Sequence, residues 1–464
     1  MAKGKKKEEL TIEEKLEQAL VPREEWPYEV PENWCWVRLG SISKIISKGT
    51  TPKGGREAYA PEGVNFLRIE NINDDGYISH EHMVMVKEDV HLGVLKRSIL
   101  HKNDILISIA GTLGKTAIVR EVDLPMNTNQ AVSFVRLSDD RINEKYIRYS
   151  IDNPIIQRLL LSKTKVTSIP NLTLEIISDC YVPFAPLAEQ QRIVDRIESL
   201  FSKLDEAKEK AQEALDSFEE RKAAILHKAF SGELTKKWRE ENGVSIDTWE
   251  KKKICDFADV KGGKRIPKGK SLINENTGHP YLKAGNLKKG TVIDDGIMFV
   301  PDDVLPQIKN YTVNEGDVYI TNVGACIGDC GVIPPKYDGA NLTENAVKIT
   351  NLKKCINLYL SYYIASNNVQ HEIKTKIASA TLGKLSIANV KSITVSLPSI
   401  NEQKEIIDKM ESLLEKSDEA CNYLNKVICY LEVIKKSILA KAFRGELGTN
   451  NMEEESLELL KTIL

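Results

Sequence analysis

The chain has 464 residues, of which 41% are hydrophobic and 28% are charged, and its formal net charge is −2. Domains usually contain about 100 to 200 residues, so this length predicts two or three of them. No apolar run approaches the roughly 20 residues that span a membrane, and the lysine-rich start lacks the apolar stretch of a secretory signal. We therefore exclude an integral membrane protein and expect a cytoplasmic one. The eight scattered cysteines lack the spacing of metal ligands, so we expect reduced thiols and no metal site.

The first part of the chain predicts a short helical segment at residues 1–21 and a globular unit at 22–186. Within this unit, 104–111 is a short β-rich run that ends at glycine. Apolar residues spaced by three and four positions indicate helix at 143–161. We therefore expect the unit to mix α and β structure.

A long helix is predicted within 187–235, because apolar residues recur there at the a and d positions of a heptad pattern. The predicted seam residues of this helix are Ile193, Ile197, Leu200, Leu204, Phe218 and Ile225. At 1.5 Å per residue the helix would be roughly 60 Å long, which would suit a ruler between two domains.

The second part of the chain predicts the same order again, with a globular unit at 246–398, a long helix at 399–447 and a tail helix at 448–464. The seam residues of the second long helix are Ile406, Met410, Leu413, Leu424, Leu431 and Ile438. The two apolar stripes can bury each other, in antiparallel directions if a twofold axis relates the two units. Two separate surface helices are the alternative.

An internal repeat underlies this symmetry. The matched pairs, at spacings of 213 or 215 residues, are Trp36 with Trp249, Asp104 with Asp317, Asn71 with Asn286, and Gln130 with Asn345. The longest match aligns 187–234 with 400–447 without a gap. We predict an α+β fold in which two similar mixed α/β domains are separated by two long antiparallel coiled-coil helices, with pseudo-twofold symmetry.

The sequence offers no recognisable catalytic grouping. Residues 111–116 end in Gly-Lys-Thr like a phosphate-binding loop, but Ile109 stands where that motif needs its first glycine. The second copy has Asp329 in place of Lys115, so a nucleotide site would not be shared by the two units. Motifs for amino-methyl transfer and for dinucleotide binding are also missing. We expect a structural turn at 111–116 and no catalytic residue in this chain.

Basic loops rich in glycine and proline occur at equivalent places, 48–53 and 261–270. Lysine neutralises phosphate charge and glycine admits close backbone approach, while the polar heads of Arg, Asn and Gln suit base edges. The predicted DNA contacts are Lys48, Thr50, Thr51, Lys53, Arg56, Arg68, Asn71, Asn129, Gln130, Lys261, Lys264, Arg265, Lys268, Lys270, Asn286 and Asn322. Solvated turns are the alternative for the loops, and a shared structural hydrogen bond is the alternative for Asn71, Asn286 and Gln130.

The chain resembles the specificity subunits of type I restriction-modification systems over nearly its whole length. The residues that carry the resemblance open the long helices at 186–194 and 400–407, and close them at 230–234 and 443–447. Weaker similarities at 36–40, 107–115 and 129–131 occur in the same order. The second copy departs from the family at 399–401, where a proline-rich entry is usual, and at Asp329, where a basic residue is usual.

The resemblance implies two target recognition domains, each reading half of a split site in double-stranded DNA. It also implies that the long helices fix the spacer between the half-sites and dock modification subunits, through which restriction subunits join. In the family the modification subunits use S-adenosylmethionine to methylate adenine, and the restriction subunits use ATP and Mg²⁺ to translocate and cleave. This chain would hold no cofactor and would only recognise the DNA sequence at which the partner subunits act.

Two other functions fit parts of the pattern. Heptads and duplicated domains also occur in adaptors that bind protein rather than DNA. A fused enzyme that carries its own methyltransferase is the second alternative, against which the missing methyl-transfer motif argues.

Overall fold

The computed structural model describes residues 11–52, 59–164, 170–288, 290–378 and 383–464. The chain divides into two compact units, one formed by Met1–Lys210 with Val427–Leu464 and the other by Ala211–Lys426. Each unit therefore takes one mixed domain and parts of both long helical segments. Among the described residues, no helix is both long enough and apolar enough to cross a membrane.

The first domain mixes short β-strands and short helices. Its helices are α1 (Ile12–Ala19), α2 (Glu88–Leu92), α3 (Glu144–Asp152), α4 (Pro154–Ser162) and α5 (Leu174–Ser178). Its strands are β1 (Cys35–Arg38), β2 (Ser43–Lys48), β3 (Tyr59–Ala60), β4 (Val64–Leu67), β5 (Val84–Val86), β6 (Ile105–Ser108), β7 (Thr116–Ile118), β8 (Met126–Thr128), β9 (Val132–Leu137) and β10 (Tyr181–Phe184).

Two four-stranded sheets, ordered β2-β9-β6-β7 and β3-β5-β4-β8, form the centre of this domain, and β1 pairs with β10 beside them. Side chains alternate across a strand, so both faces of β6 can be buried. Ile105 and Ile107 join the core that α3 and α6 cover, while Leu106 joins a second core with Phe134. The central strand is therefore buried throughout, and three of its four residues are apolar.

The first long helical segment consists of α6 (Leu187–Asp216) and α7 (Phe218–Phe230). The sequence predicts one uninterrupted helix here, and the structure divides it at Ser217. The Ser217 hydroxyl donates to the Ala214 carbonyl at 2.7 Å, a local bond that competes with the helical ladder. The backbone of Ser217 stays in the right-handed helical region, so the interruption is slight.

The second domain repeats the first. Its helices are α8 (Lys236–Asn242), α9 (Ile254–Phe257), α10 (Leu305–Ile308), α11 (Asn357–Ala365), α12 (Asn367–Ala378) and α13 (Ile387–Lys391). Its strands are β11 (Glu250–Lys253), β12 (Asp259–Gly262), β13 (Pro280–Leu282), β14 (Leu287–Lys288), β15 (Thr291–Val292), β16 (Met298–Phe299), β17 (Val318–Thr321), β18 (Cys330–Val332), β19 (Asn341–Leu342), β20 (Ala346–Thr350) and β21 (Thr394–Leu397).

The order β12-β20-β17-β18 reproduces β2-β9-β6-β7, and β11 pairs with β21 as β1 pairs with β10. The chain ends with the long helix α14 (Ile400–Ala442) and the short helix α15 (Ser456–Ile463). The predicted α+β fold with two similar domains is confirmed.

The structure corrects the register of the repeat at its start. The Trp34 indole donates to Glu189 Oε2 at 2.7 Å, and the Trp249 indole donates to Glu402 Oε2 at 3.0 Å. Trp34, and not Trp36, is therefore the counterpart of Trp249. Trp36 is fully buried, and its indole nitrogen has no hydrogen-bond partner among the described residues.

The predicted match of Gln130 with Asn345 is also wrong by one residue. Asn129 Oδ1 accepts from the Ala131 amide at 3.1 Å, just as Thr343 Oγ1 accepts from the Asn345 amide at 3.4 Å. Gln130 therefore corresponds to Glu344. The shift arises because the loop after β17 (322–328) is one residue longer than the loop after β6 (109–114).

The long helices contact each other in both units, and the ion pairs of the first unit show that they run antiparallel. In the first unit Lys208 of α6 forms an ion pair with Glu432 of α14 at 2.7 Å. Asp205 of α6 forms another with Lys435 of α14 at 2.5 Å. Residue numbers rise along one helix as they fall along the other, so the two helices run in opposite directions. In the second unit Leu226 of α7 shares a core with residues of the α14 start. The predicted antiparallel pairing is confirmed.

All but one of the predicted seam residues are buried or partly buried. Its buried members are Ile193, Ile197, Ile406, Met410 and Leu431, and its partly buried members are Leu200, Leu204, Phe218, Ile225, Leu424 and Ile438. Leu413 is 39% exposed, and Leu414 packs against the core instead. Near the start of α14 the contact follows the i, i+4 row 406, 410 and 414, one of the ridges along which helices pack.

The end of each long helical segment does not belong to the unit of the domain that precedes it in sequence. It belongs to the unit of the other domain. Phe230, at the end of α7, packs edge-on against Tyr359 of the second domain at a centroid distance of 5.5 Å. Phe443, just after α14, packs in the same way against Tyr146 of the first domain at 5.2 Å. Each domain is therefore closed by a phenylalanine that follows the other domain in the sequence.

Candidate nucleic-acid interface

Four loops of the first domain meet at one end of the sheet β2-β9-β6-β7, because β2 and β6 end there while β7 and β9 begin there. We call this surface the first loop end; its described residues are 48–52, 68–72, 109–115 and 129–131. The Thr50 amide donates to the Thr128 carbonyl at 3.1 Å, and the Asn129 amide donates to the Leu67 carbonyl at 3.1 Å. The structure thus brings together the predicted residues Lys48, Thr50, Thr51, Arg68, Asn129 and Gln130.

The second domain has a matching second loop end, formed by 261–270, 283–286, 322–329 and 343–345. The Lys264 amide donates to the Leu342 carbonyl at 2.9 Å, and the Thr343 amide donates to the Leu282 carbonyl at 3.0 Å. This surface brings together the predicted residues Lys261, Lys264, Arg265 and Asn322. The same loop continues through Lys268 to Lys270, which pairs with Asp303 outside this surface. The predicted residues Lys53 and Arg56 lie outside the described residues.

The glycines of the basic loops serve the fold. A Cβ on Gly49 would lie 2.1 Å from the Asn129 carbonyl oxygen, and one on Gly263 would lie 2.0 Å from the Thr343 carbonyl oxygen. The Gly49 amide donates to the Val132 carbonyl at 3.0 Å, and the Gly263 amide to the Ala346 carbonyl at 3.2 Å. These two amides are therefore not free for phosphate, which corrects the sequence interpretation at Gly49 and Gly263.

The basic side chains at the two loop ends differ in how far their charge is already balanced. Arg265 forms an ion pair with Glu344, and Lys270 forms one with Asp303. The hydrogen bond from Lys270 lowers the pKa of Asp303. Lys48 and Lys268 are exposed and have no ion pair within the described part of the chain. Among the predicted DNA contacts, these two lysines carry the least compensated charge.

Two further lysines of the second loop end have weaker partners. Lys261 lies 3.9 Å from the Asp259 carboxylate, at the limit of an ion pair. The Lys264 ammonium lies 5.5 Å from the centroid of the Tyr311 ring, within the range of a cation–π contact. The Asn322 amide donates to the Asn345 carbonyl at 2.9 Å, and the buried Oδ1 of Asn322 has no partner among the residues described. The second loop end is therefore the more basic of the two.

Asn71 and Asn286 have a structural role in both domains. Asn71 Oδ1 accepts from the Arg68 amide at 3.0 Å, and Asn286 Oδ1 accepts from the Lys283 amide at 3.1 Å. Their Nδ2 atoms donate to the Glu81 and Asp295 carbonyls. Both side chains are buried and their amide groups are occupied. These hydrogen bonds favour a structural role for Asn71 and Asn286 over contact with DNA.

The Gly-Lys-Thr segment is a structural turn. The Gln157 amide donates to the Gly114 carbonyl at 3.0 Å, and the Gln370 amide makes the same bond to Gly328 in the second domain. Lys115 is held by Asp74 at 2.6 Å, so its ammonium is not free for a phosphate of a nucleotide. No group of three or more potential metal ligands occurs in the described ranges.

Sequence reasoning missed Lys283, which occupies the position of Arg68 in the second domain. The signal was available, since the match of 66–71 with 281–286 places these two residues opposite each other. The prediction of base contacts considered only Arg, Asn and Gln side chains. Lysine ends in a single ammonium group, so Lys283 was not included.

Comparison with known proteins agrees with this architecture. The family model of the type I restriction modification DNA specificity domain matches residues 31–216 and 246–428. The EcoKI specificity subunit of Escherichia coli K12 is 24% identical over 441 residues, covering 90% of this chain and 90% of that protein. The MjaVIII specificity subunit of Methanocaldococcus jannaschii is 23% identical over 443 residues, covering 91% of this chain and 95% of that protein.

Two solved structures share the fold. The HsdS subunit from Thermoanaerobacter tengcongensis matches with a TM-score of 0.58 at 19% identity, covering 91% of this chain and 100% of that chain. A chain from a study of complex assembly and conformational transition in a type I restriction-modification system matches with a TM-score of 0.66 at 19% identity and the same coverage. With two matched domains that span most of its length, this chain belongs to the family of type I restriction-modification specificity subunits.

Proposed function

We propose that this chain recognises a bipartite DNA site, one half-site with each loop end, and directs methylation and ATP-dependent cleavage by partner subunits. One observation carries the proposal. The two loop ends share a framework of buried asparagines and close-packed glycines, but corresponding positions differ chemically: Arg68 and Lys283, Lys115 and Asp329, Gln130 and Glu344. Two loop ends that recognise different DNA half-sites need the same framework with different side chains on it.

The charge distribution supports DNA over protein as the ligand. Both loop ends carry more basic than acidic residues, although the net charge of the chain is −2. Lysine is depleted at protein–protein interfaces, whereas phosphate contacts require it. An adaptor that binds only protein is therefore not favoured.

Replacing Lys48 by glutamine is expected to weaken binding to all DNA sequences to a similar degree. A lost phosphate contact should reduce the slope of log K against log salt by about 0.9. Salt titrations of binding to specific and unrelated duplexes would measure this change.

Lys44→Gln is the matched control for this variant. Lys44 is exposed on the same strand but at its other end, roughly 13 Å away at 3.3 Å per residue. Equal effects of the two variants would contradict DNA binding at the loop end, because they would show only the loss of general positive charge.

We also propose that α14 docks modification subunits. Tyr430, Val433 and Ile434 share one helix face at i, i+3 and i+4, and are 65%, 60% and 43% exposed. Exposed apolar and aromatic side chains in one patch are typical of interaction sites. The solved neighbour studied for its complex assembly is consistent with a surface of this kind.

A double variant, Tyr430→Ser with Val433→Ser, is expected to weaken assembly with modification subunits at least tenfold without changing thermal stability. Analytical ultracentrifugation of the mixed subunits would show the loss, with Lys203→Ser on α6 as an exposed control that keeps assembly. Unimpaired assembly of the double variant would mean that this face is not the docking surface.

The cofactors are proposed to lie in the partners. S-adenosylmethionine would be bound by the modification subunits, and ATP and Mg²⁺ by the restriction subunits. In support, the one nucleotide-like segment of the sequence serves as a braced turn, with Lys115 held by Asp74. The purified chain is accordingly expected to transfer no labelled methyl group to DNA on its own, and transfer by the pure chain would overturn this assignment.

A further inference from the structure

Arg68 and Lys283 project from equivalent, rigidly held points of the two loop ends. The side chains of Asn71 and Asn286 accept hydrogen bonds from the backbone amides of these two basic residues, at 3.0 and 3.1 Å. The residue before each one, Leu67 or Leu282, accepts a bond from the neighbouring turn at 3.1 or 3.0 Å. The backbone at this position is thus fixed from both sides.

The surroundings of the two basic side chains differ. Arg68 Nη2 lies 2.9 Å from Glu70 Oε1, with the arginine and glutamate side chains 31% and 54% exposed. In the second domain Gly285 stands at the position of Glu70. Lys283 is half-buried and forms no ion pair with any described carboxylate.

The Arg68–Glu70 pair is poorly suited to phosphate and well suited to a base. Its net charge is zero, so it would release few counterions from DNA. Its guanidinium still has donors to offer at Nη1, which has no hydrogen-bond partner among the described residues. Nη2 also donates to the His82 carbonyl at 3.5 Å, and the unpartnered Nε is buried. Guanidinium donors held in a fixed plane match the O6 and N7 acceptors of guanine.

We infer that Arg68 reads a guanine in the half-site of the first domain, with Glu70 orienting its guanidinium. This inference rests on the proposed function and adds to it the base that is read and the residue that reads it. Lys283 has the same backbone placement but a single ammonium, and serves as the internal comparison.

The test uses the full chain assembled with its modification subunits and a library of random double-stranded DNA. The natural complex is expected to enrich a bipartite motif with guanine at one position, preferred at least tenfold over other bases. Arg68→Ala is expected to abolish the preference at that position alone, with the other half-site and the salt slope unchanged. Arg68→Lys is expected to keep a reduced preference.

Glu70→Gln tests the orienting role and guards against a simple folding defect. Removing the carboxylate frees the arginine, so the preference for guanine is expected to fall while the salt slope becomes steeper by about 0.9, the value of one phosphate contact. If Arg68→Ala weakens all sequences equally and lowers the salt slope, Arg68 is a phosphate contact and the inference fails. An unchanged motif in Arg68→Ala also overturns it. If the natural complex enriches no bipartite motif, the proposed function itself fails.

Discussion

Replacing Glu402 by alanine is expected to lower the free energy of unfolding of the second unit by about 3 to 5 kcal/mol. Glu402 Oε1 accepts from Arg239 Nη1 at 2.7 Å and from Thr235 Oγ1 at 2.9 Å, while its Oε2 accepts from the Trp249 indole. Arg239 is only 8% exposed. The variant would leave a buried positive charge without its counter-ion and a buried indole without its acceptor. Hydrogen exchange of the β20 amides would report the loss.

Glu189 provides the matched control in the first unit. It accepts from the Trp34 indole at 2.7 Å, but the nearby Arg192 is engaged by Glu454 at 2.9 Å, so no arginine is paired with it. Burial accordingly raises the pKa of Glu189. We expect Glu189→Gln to be tolerated, and Glu402→Gln to destabilise its unit because the charge of Arg239 is left unbalanced.

The pH dependence follows from the direction of this shift. A carboxyl group whose pKa is raised in the folded state stabilises the fold below its unfolded pKa, and that contribution is lost as pH rises through the folded pKa. The natural protein should therefore lose stability relative to Glu189→Gln as the pH rises above about 4, the usual pKa of an exposed glutamate. A difference that stays constant as the pH rises, or a large loss of stability in Glu189→Gln at neutral pH, would contradict the account of this buried pair.

Replacing Phe443 by alanine is expected to cost the first unit about 3 to 5 kcal/mol of stability, the usual range for a buried phenylalanine. Phe443 is fully buried and packs on Tyr146, whose hydroxyl donates to the Pro183 carbonyl at 2.7 Å. The defect should appear in the first unit, although Phe443 follows the second domain in sequence. Hydrogen exchange of β9 and β20 measured in parallel would locate it.

Phe230→Ala is the companion variant. Phe230 is partly buried between Tyr359 and Tyr363, so we expect a smaller loss, confined to the second unit. A defect of Phe443→Ala in the second unit alone would contradict the exchange of helix ends between the two domains.

The sequence predicted the architecture well because periodicity and repetition report directly on packing. Heptad spacing identified the helices, and the seam residues Ile193, Ile197, Ile406 and Met410 are buried as expected. The register was harder. Trp34 and Trp36 are two residues apart and both are buried, so only the hydrogen bond to Glu189 shows which of them corresponds to Trp249.

The candidate contacts were predicted less well, for a physical reason. Repetition identifies framework residues, which is why the repeated Asn71 and Asn286 proved to brace loops. Ion pairs between distant segments are invisible in sequence, as with Arg265 and Glu344, which are 79 residues apart. Which lysines keep an uncompensated charge therefore depended on the fold.

Genome-wide mapping of methylated adenine, in cells that express this chain with its modification subunits, tests the central claim most directly. We predict methylation at a split motif, two short half-sites separated by a nonspecific gap of fixed length. No new methylated adenine, although the subunits assemble, would contradict DNA recognition by this chain and favour a protein-binding adaptor.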